Sequence, residues 1–194
     1  MSRIVGCRDM HIAKLTKDTP GGTPTWDKPI RVPSLINVSV SDTVEQSKFY
    51  SDDVIEQSFS KTAGKEITIE LGYLTTELEA LITGKEYKNG VLVQGGDDMP
   101  MEVALLFRAP KSKGGFRYMV LYKGTLARTE SEYATQEDSV ESATVKLVGT
   151  FIPLASNGKM AATADSDTLI GDGDADIALQ EMITNWFDEV QLPE

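Results

Sequence analysis

Apolar and polar side chains alternate along much of this chain, the period-two signature of strands that bury one face. Ile30, Val32, Ile36, Val38 and Val40 share one parity, with Asn37, Ser39 and Ser41 between the later ones. Pro33 interrupts that run and predicts an edge or a bulge. Ile67, Ile69 and Leu71 alternate with Thr68 and Glu70. Phe116, Tyr118, Val120, Tyr122 and Leu126 share a parity, and Val145, Leu147 and Phe151 stand opposite Thr144, Lys146 and Thr150 in a strand predicted over 140–152. Residues 101–108 are nearly all apolar, as in a strand buried on both faces. Residues 4–15 read as a mixed strand, closed by the turn-rich Lys17-Asp18-Thr19-Pro20-Gly21-Gly22-Thr23-Pro24,.

Elsewhere the period changes. Leu74, Leu78, Leu81 and Ile82 fall on one helical face, Thr76 stands three residues before Glu79 at capping-box spacing, and Gly84 stops the helix,. Asn89-Gly90 marks a tight hairpin before Val91-Leu92-Val93,. After Pro153 the composition turns to Ala, Ser, Thr, Gly and Asp, which predicts a flexible acidic linker over 154–176. Leu179, Met182, Ile183, Trp186, Phe187 and Val190 then recur at helical spacing, giving a C-terminal amphipathic helix over 177–190,. The elements predict a mainly β protein. Residues 1–153 form an antiparallel β-sandwich or partly closed barrel with one inserted short helix, followed by the linker and the terminal helix.

Residues 44–64 fit that core poorly. Two polar runs flank Ser51-Asp52-Asp53, a turn signal, and predict a long hairpin or loop with few core residues,. A segment of this length outside the core is usually functional or disordered. Phe49, Tyr50, Asp52, Asp53, Val54 and Ile55 lie at its tip.

The chemistry of the chain excludes more than it suggests. There is one cysteine, Cys7, and one histidine, His11, so an internal disulfide cannot form and a zinc set is not expected,. Four residues apart in a strand, the two would share a face; that alone makes no catalytic dyad. The net charge is −11, with 19 Lys and Arg against 30 Asp and Glu. Phosphate grip needs a basic stripe, so specific nucleic-acid binding is not expected. Asp172-Gly173-Asp174-Ala175-Asp176 opens like a calcium loop, but Ile177 and Ile183 stand where the EF-hand needs Gly and Glu,. Asp52-Asp53 and Asp97-Asp98 are sequential carboxylates that a strand would point apart. No catalytic, cofactor-binding or metal-ligating residue is expected, and no cofactor. No apolar run is long enough to cross a bilayer, and the N-terminus has no secretory apolar region.

Three blocks carry a resemblance: Val5-Gly6-Cys7-Arg8-Asp9-Met10-His11-Ile12-Ala13, then Gly64-Lys65-Glu66-Ile67-Thr68-Ile69-Glu70-Leu71, then Phe116-Arg117-Tyr118-Met119-Val120-Leu121-Tyr122-Lys123-Gly124 followed by Thr135-Gln136-Glu137-Asp138-Ser139-Val140 and a predicted strand over 143–152. In this order and spacing they resemble the major tail protein family of long-tailed phages and related prophages. The resemblance implies a tail-tube type of β fold and a structural virion protein rather than an enzyme. Six subunits would form a ring, and rings would stack around a tape-measure protein into a tube ended by terminator and distal tail proteins. DNA would pass through without specific binding, and assembly would take place in the host cytoplasm. Residues 44–64 occupy the place of the family's inter-ring arm. Glu102 and Glu141 are candidates for acidic side chains facing the lumen. The alternative from the residues themselves is a virion β-sandwich that binds carbohydrate or mediates adhesion, although the loops at 19–24, 95–100 and 111–115 carry no aromatics. Tyr50, Tyr87 and Tyr133 would be its best contacts.

Overall fold

A computed structural model describes residues 2–51, 54–131, 144–168 and 173–193. The strands are β1 (Arg8–Lys17), β2 (Thr25–Trp26), β3 (Ile30–Arg31), β4 (Leu35–Ser51), β5 (Val54–Leu71), β6 (Glu86–Lys88), β7 (Val91–Val93), β8 (Val103–Pro110), β9 (Phe116–Ser131), β10 (Val145–Phe151) and β11 (Ala161–Asp165). Helix α1 (Thr76–Thr83) follows β5, and α2 (Asp174–Thr184) follows a 3-10 turn at Ser166–Thr168.

The protein is mainly β and antiparallel. Among the described residues, nine strands form one sheet along the path β2-β1-β8-β9-β10-β5-β4, with β3 paired to β1 and β11 to β9. The path ends at β2 and at β4, so the sheet does not close as a barrel would. Strands β6 and β7 make a separate hairpin through Asn89 and Gly90, at φ 52° and 82°. Those two left-handed residues are what a type I′ turn requires.

Both faces of the sheet carry a core. On one, Met10, Ile12, Ile67, Ile69, Leu121, Leu147 and Phe151 pack with Leu78 and Ile82 of α1. On the other, Ala104, Leu106, Tyr118, Val120 and Tyr122 pack beneath Leu154 and Trp186. Alternation along β8 supplies both cores, which is why its sequence is almost continuously apolar,.

Several readings from parity change at bulges. Leu126 shares sequence parity with Tyr122 but lies in the first core, because β9 shifts register against β8 between Leu121 and Gly124,. Ile36 is exposed while Val38 and Val40 pack inward, since β4 bulges between Leu35 and Asn37. Cys7 and His11 do not share a face. A register shift between Arg8 and His11, with Asp9 at φ 53°, turns His11 onto the ring of Phe187 at 4.5 Å, while Cys7 faces Val38 and Val40.

The helix cap also differs. Thr75, not Thr76, caps α1, its hydroxyl accepting from Leu78 N at 3.3 Å, and Glu79 turns inward instead of closing a capping box. Gly84 ends the helix at φ 72°, where an added Cβ would stand 1.9 Å from Met99 O. Gly84→Ala is expected to cost about 1–3 kcal/mol, measured as a lower urea midpoint at unchanged slope; an unchanged midpoint would refute that strain.

The segment over 154–176 is not wholly a linker. Leu154 is buried, and Ala161–Asp165 form β11, paired residue by residue with Leu121 back to Arg117 of β9. Small residues that read as linker composition also suit a strand lying close beneath other elements. The terminal helix is shorter than predicted at its C-terminal end. Its buried anchor, Trp186, lies in the turns after Thr184.

Candidate assembly surface

Strands β4 and β5 pair from Leu35↔Leu71 to Ser51↔Val54, but only the part nearest Leu71 belongs to the body of the sheet. Strand β10 reaches no further along β5 than Lys65. Beyond a bulge between Thr43 and Val44, the two strands continue as a ribbon paired, among the described residues, only with each other. Eight residues of β4, from Val44 to Ser51, carry it roughly 25 Å at about 3.3 Å per residue. Every side chain described at 44–49 and 57–61 is exposed. Phe49 and Phe59 meet edge to face at 5.9 Å while remaining 57% and 52% exposed. A two-stranded ribbon without a core is marginal in water, so its ordered state calls for a further surface.

Several strand edges are open. Among the described residues the outer edge of β4 has no neighbour in the sheet, and neither does the edge of β11 away from β9. Beside β11 lies an apolar groove of about 550 Å³, between Ala162 and Ala164 of the strand and Ala178, Leu179 and Met182 of α2. Trp186 lines it; the residue is 1% exposed and its Nε1 has no hydrogen-bond partner among the described residues. A larger open groove, about 670 Å³, runs between Trp26, Asp27 and Lys28 and the terminal Asp188, Glu189 and Val190.

Ion pairs tie neighbouring strands together near these surfaces. Asp165 takes both Nε and NH2 of Arg117, at 2.8 and 2.7 Å, and Lys111 approaches at 3.0 Å. Arg117 chiefly, with Lys111, holds the Asp165 carboxyl down at about 2 despite partial desolvation. Asp9 joins Arg31 at 3.3 Å and Arg108 at 2.6 Å, with Arg108 stacked 4.4 Å from the Phe116 ring.

Asp18 has the most enclosed carboxylate of these ion pairs, its side chain 3% exposed against 7% for Glu79. It accepts from Lys123 at 2.9 Å and from the backbone N–H groups of Ala155 and Ser156 at 2.8 and 3.0 Å. Burial pushes its pKa up, but these donors outweigh burial and bring it to about 2, below the ordinary 3.8. A carboxylate lowered on folding stabilises fully above its unfolded value and loses that contribution as pH falls toward 2. The stability difference between the wild type and Asp18→Asn is expected to shrink by about 2 kcal/mol between pH 5 and pH 2. Urea titrations at both pH values measure it, and a pH-independent difference would contradict the assignment.

The residues singled out in the sequence fall as follows. Phe49 stands exposed on the ribbon beside Phe59, a residue outside the sequence candidates. Tyr50 pairs with Ile55 and Ser51 with Val54 across the ribbon's end. Asp52, Asp53 and Glu141 lie outside the described residues, as do Tyr133, Asp172 and the block 135–140. Glu102 is exposed just before β8, with its carboxylate 3.6 Å from Lys123. Tyr118 and Tyr122 are core aromatics, and the Tyr122 hydroxyl donates to Gln191 O at 3.0 Å. Among the described residues no three His, Cys, Asp or Glu gather as a metal site, and no helix is long and apolar enough to cross a membrane. The signal that would have revealed the groove was the Ala162/Ala164 alternation, two small residues spaced for one face of a strand. Compared with known protein families and with curated proteins, the sequence matches none.

Proposed function

We propose that this chain is a structural subunit that assembles with copies of itself into stacked rings, forming the tail tube of a long-tailed phage. The single observation that carries the reading is the ribbon. Some 25 Å of paired strand projects beyond the sheet with exposed phenyl rings and no core of its own. Ordering a chain costs about 1–2 kcal/mol per residue in backbone entropy, and a neighbouring subunit offsets that cost by burying the ribbon. The open edges of β4 and β11 add backbone groups that a neighbour can pair,.

The excess of acidic residues suits a conduit that lets DNA slide without holding it,. Glu102 shares Lys123 with Asp18, so part of its charge is balanced locally, and the lumen potential rests on the sum of many carboxylates rather than on that one. The tape-measure, terminator and distal tail proteins remain the partners that the family resemblance implies.

Sedimentation velocity and negative-stain microscopy of the purified chain over a wide concentration range test the proposal. Rings or tubes that grow with concentration are the expected result. A strictly monomeric chain, even with phage assembly partners present, would overturn it. Clear hits on a glycan array, mapping to the groove at Trp26, would favour the adhesion reading instead.

A further inference from the structure

We infer that the open edge of β11, with the groove between it and α2, is the docking site for the β4–β5 ribbon of a second copy of this chain. The inference rests on the assembly proposed above and names its contact. Phe151 of β10 stands opposite Gly124 of β9 on one side and Lys65 of β5 on the other. Further along β9, β11 takes over the position of β10, with Ala161 opposite Leu121. The next lane outward is therefore the one β5 would occupy had it continued in the sheet. It does not: β5 and β11 are not paired.

The bulges on the two strands match in level. Strand β9 shifts between Gly124 and Leu121, and β5 shifts between Gly64 and Thr62. Three residues on from Gly124 is Leu121, and three on from Lys65 is Thr62. A ribbon entering the vacant lane antiparallel to β11 thus sets Thr62 opposite Ala161, Ser60 opposite Thr163 and Phe59 opposite Ala164. Residues directly opposite in a sheet point to the same face. Ala164 points to the face covered by Trp186 and α2, so Phe59 enters the groove, where two alanines leave room for its ring. A neighbour's ribbon filling a lane that the chain's own strand vacates is a domain-swapped arrangement. The entering strand also brings polar atoms to a groove whose buried Trp186 Nε1 lacks an acceptor among the described residues.

Two full-length variants in a Cys7→Ser background, Thr163→Cys and Ser60→Cys, are mixed, assembled at high concentration and oxidised. Paired positions in a sheet have Cα atoms about 4.5–5.5 Å apart, within disulfide range. The expected result is a disulfide-linked dimer containing one chain of each variant. Phe59→Ala should raise the concentration needed for assembly by at least about tenfold without unfolding the monomer. Assembly without the cross-link would overturn this docking site and leave the assembly reading standing. A chain carrying both cysteines that cross-links internally in dilute monomer would show its own ribbon covering the edge, which also overturns the inference. No assembly at all would overturn both readings.

Discussion

Replacing residues 45–61 by Asn-Gly is expected to leave a folded monomer that no longer assembles. Val44 and Thr62 are paired partners, so a two-residue turn can close the shortened hairpin without disturbing the sheet,. No described side chain within the deleted span is buried, so neither core loses a contact. The thermal midpoint of the monomer should move by only a few degrees, because surface changes alter stability by about 0.5 kcal/mol or less. Assembly should suffer far more. Burying two phenyl side chains is worth about 3–6 kcal/mol, so the concentration required for assembly should rise at least ~100-fold. Circular dichroism reports the fold and sedimentation reports the assembly. If the shortened chain unfolds, the ribbon is part of the domain's own structure. If it assembles normally, the ribbon is not the connecting arm.

The expected contrast depends on how folding energy is distributed. The two cores lie on opposite faces of the sheet and draw on β1, β8 and β9 together. The ribbon begins where β10 stops covering β5. Local pairing can hold it in shape, but only burial against another surface can make it contribute much to free energy.

The strands, the inserted helix, the Asn89-Gly90 turn and the outlying character of residues 44–64 were legible because each rests on a local rule. Side-chain period, turn chemistry and polarity all act within a few residues. What escaped is nonlocal. Each bulge reverses parity, so Leu126 and Ile36 changed sides although the residues around them alternate regularly. Strand β11 was hidden because four of its five residues are Ala or Asp, which have little strand propensity, and its partner on β9 is about 40 residues away in sequence,. The groove follows from β11 and α2 lying side by side, which neither segment announces alone. The same holds for Asp18, whose backbone donors at 155 and 156 come from the far end of the sequence.

Glu79 shows the cost of that blindness most plainly and sets the largest stability effect expected here. Its spacing from Thr76 predicts a capping-box partner at the helix start. Instead its carboxylate is 7% exposed and sits between Lys85 Nζ at 2.9 Å and Arg128 NH1 at 2.6 Å. Those two cations are themselves mostly covered, at 15% and 19% exposure. The cluster ties α1 and the loop after it to the far end of β9. Removing one member of a buried ion cluster leaves the others desolvated and uncompensated, which typically costs about 3–5 kcal/mol. Glu79→Ala should lose stability in that range by urea unfolding. Glu79→Gln should also be strongly destabilised, because an amide retains the shape but not the charge. Exchanging all three residues for apolar ones of similar volume should recover most of the loss, since the desolvation of the ions disappears with them. A loss below about 1 kcal/mol in Glu79→Ala would mean that water reaches the cations. The cluster would then be a surface feature and not a tie between helix and sheet.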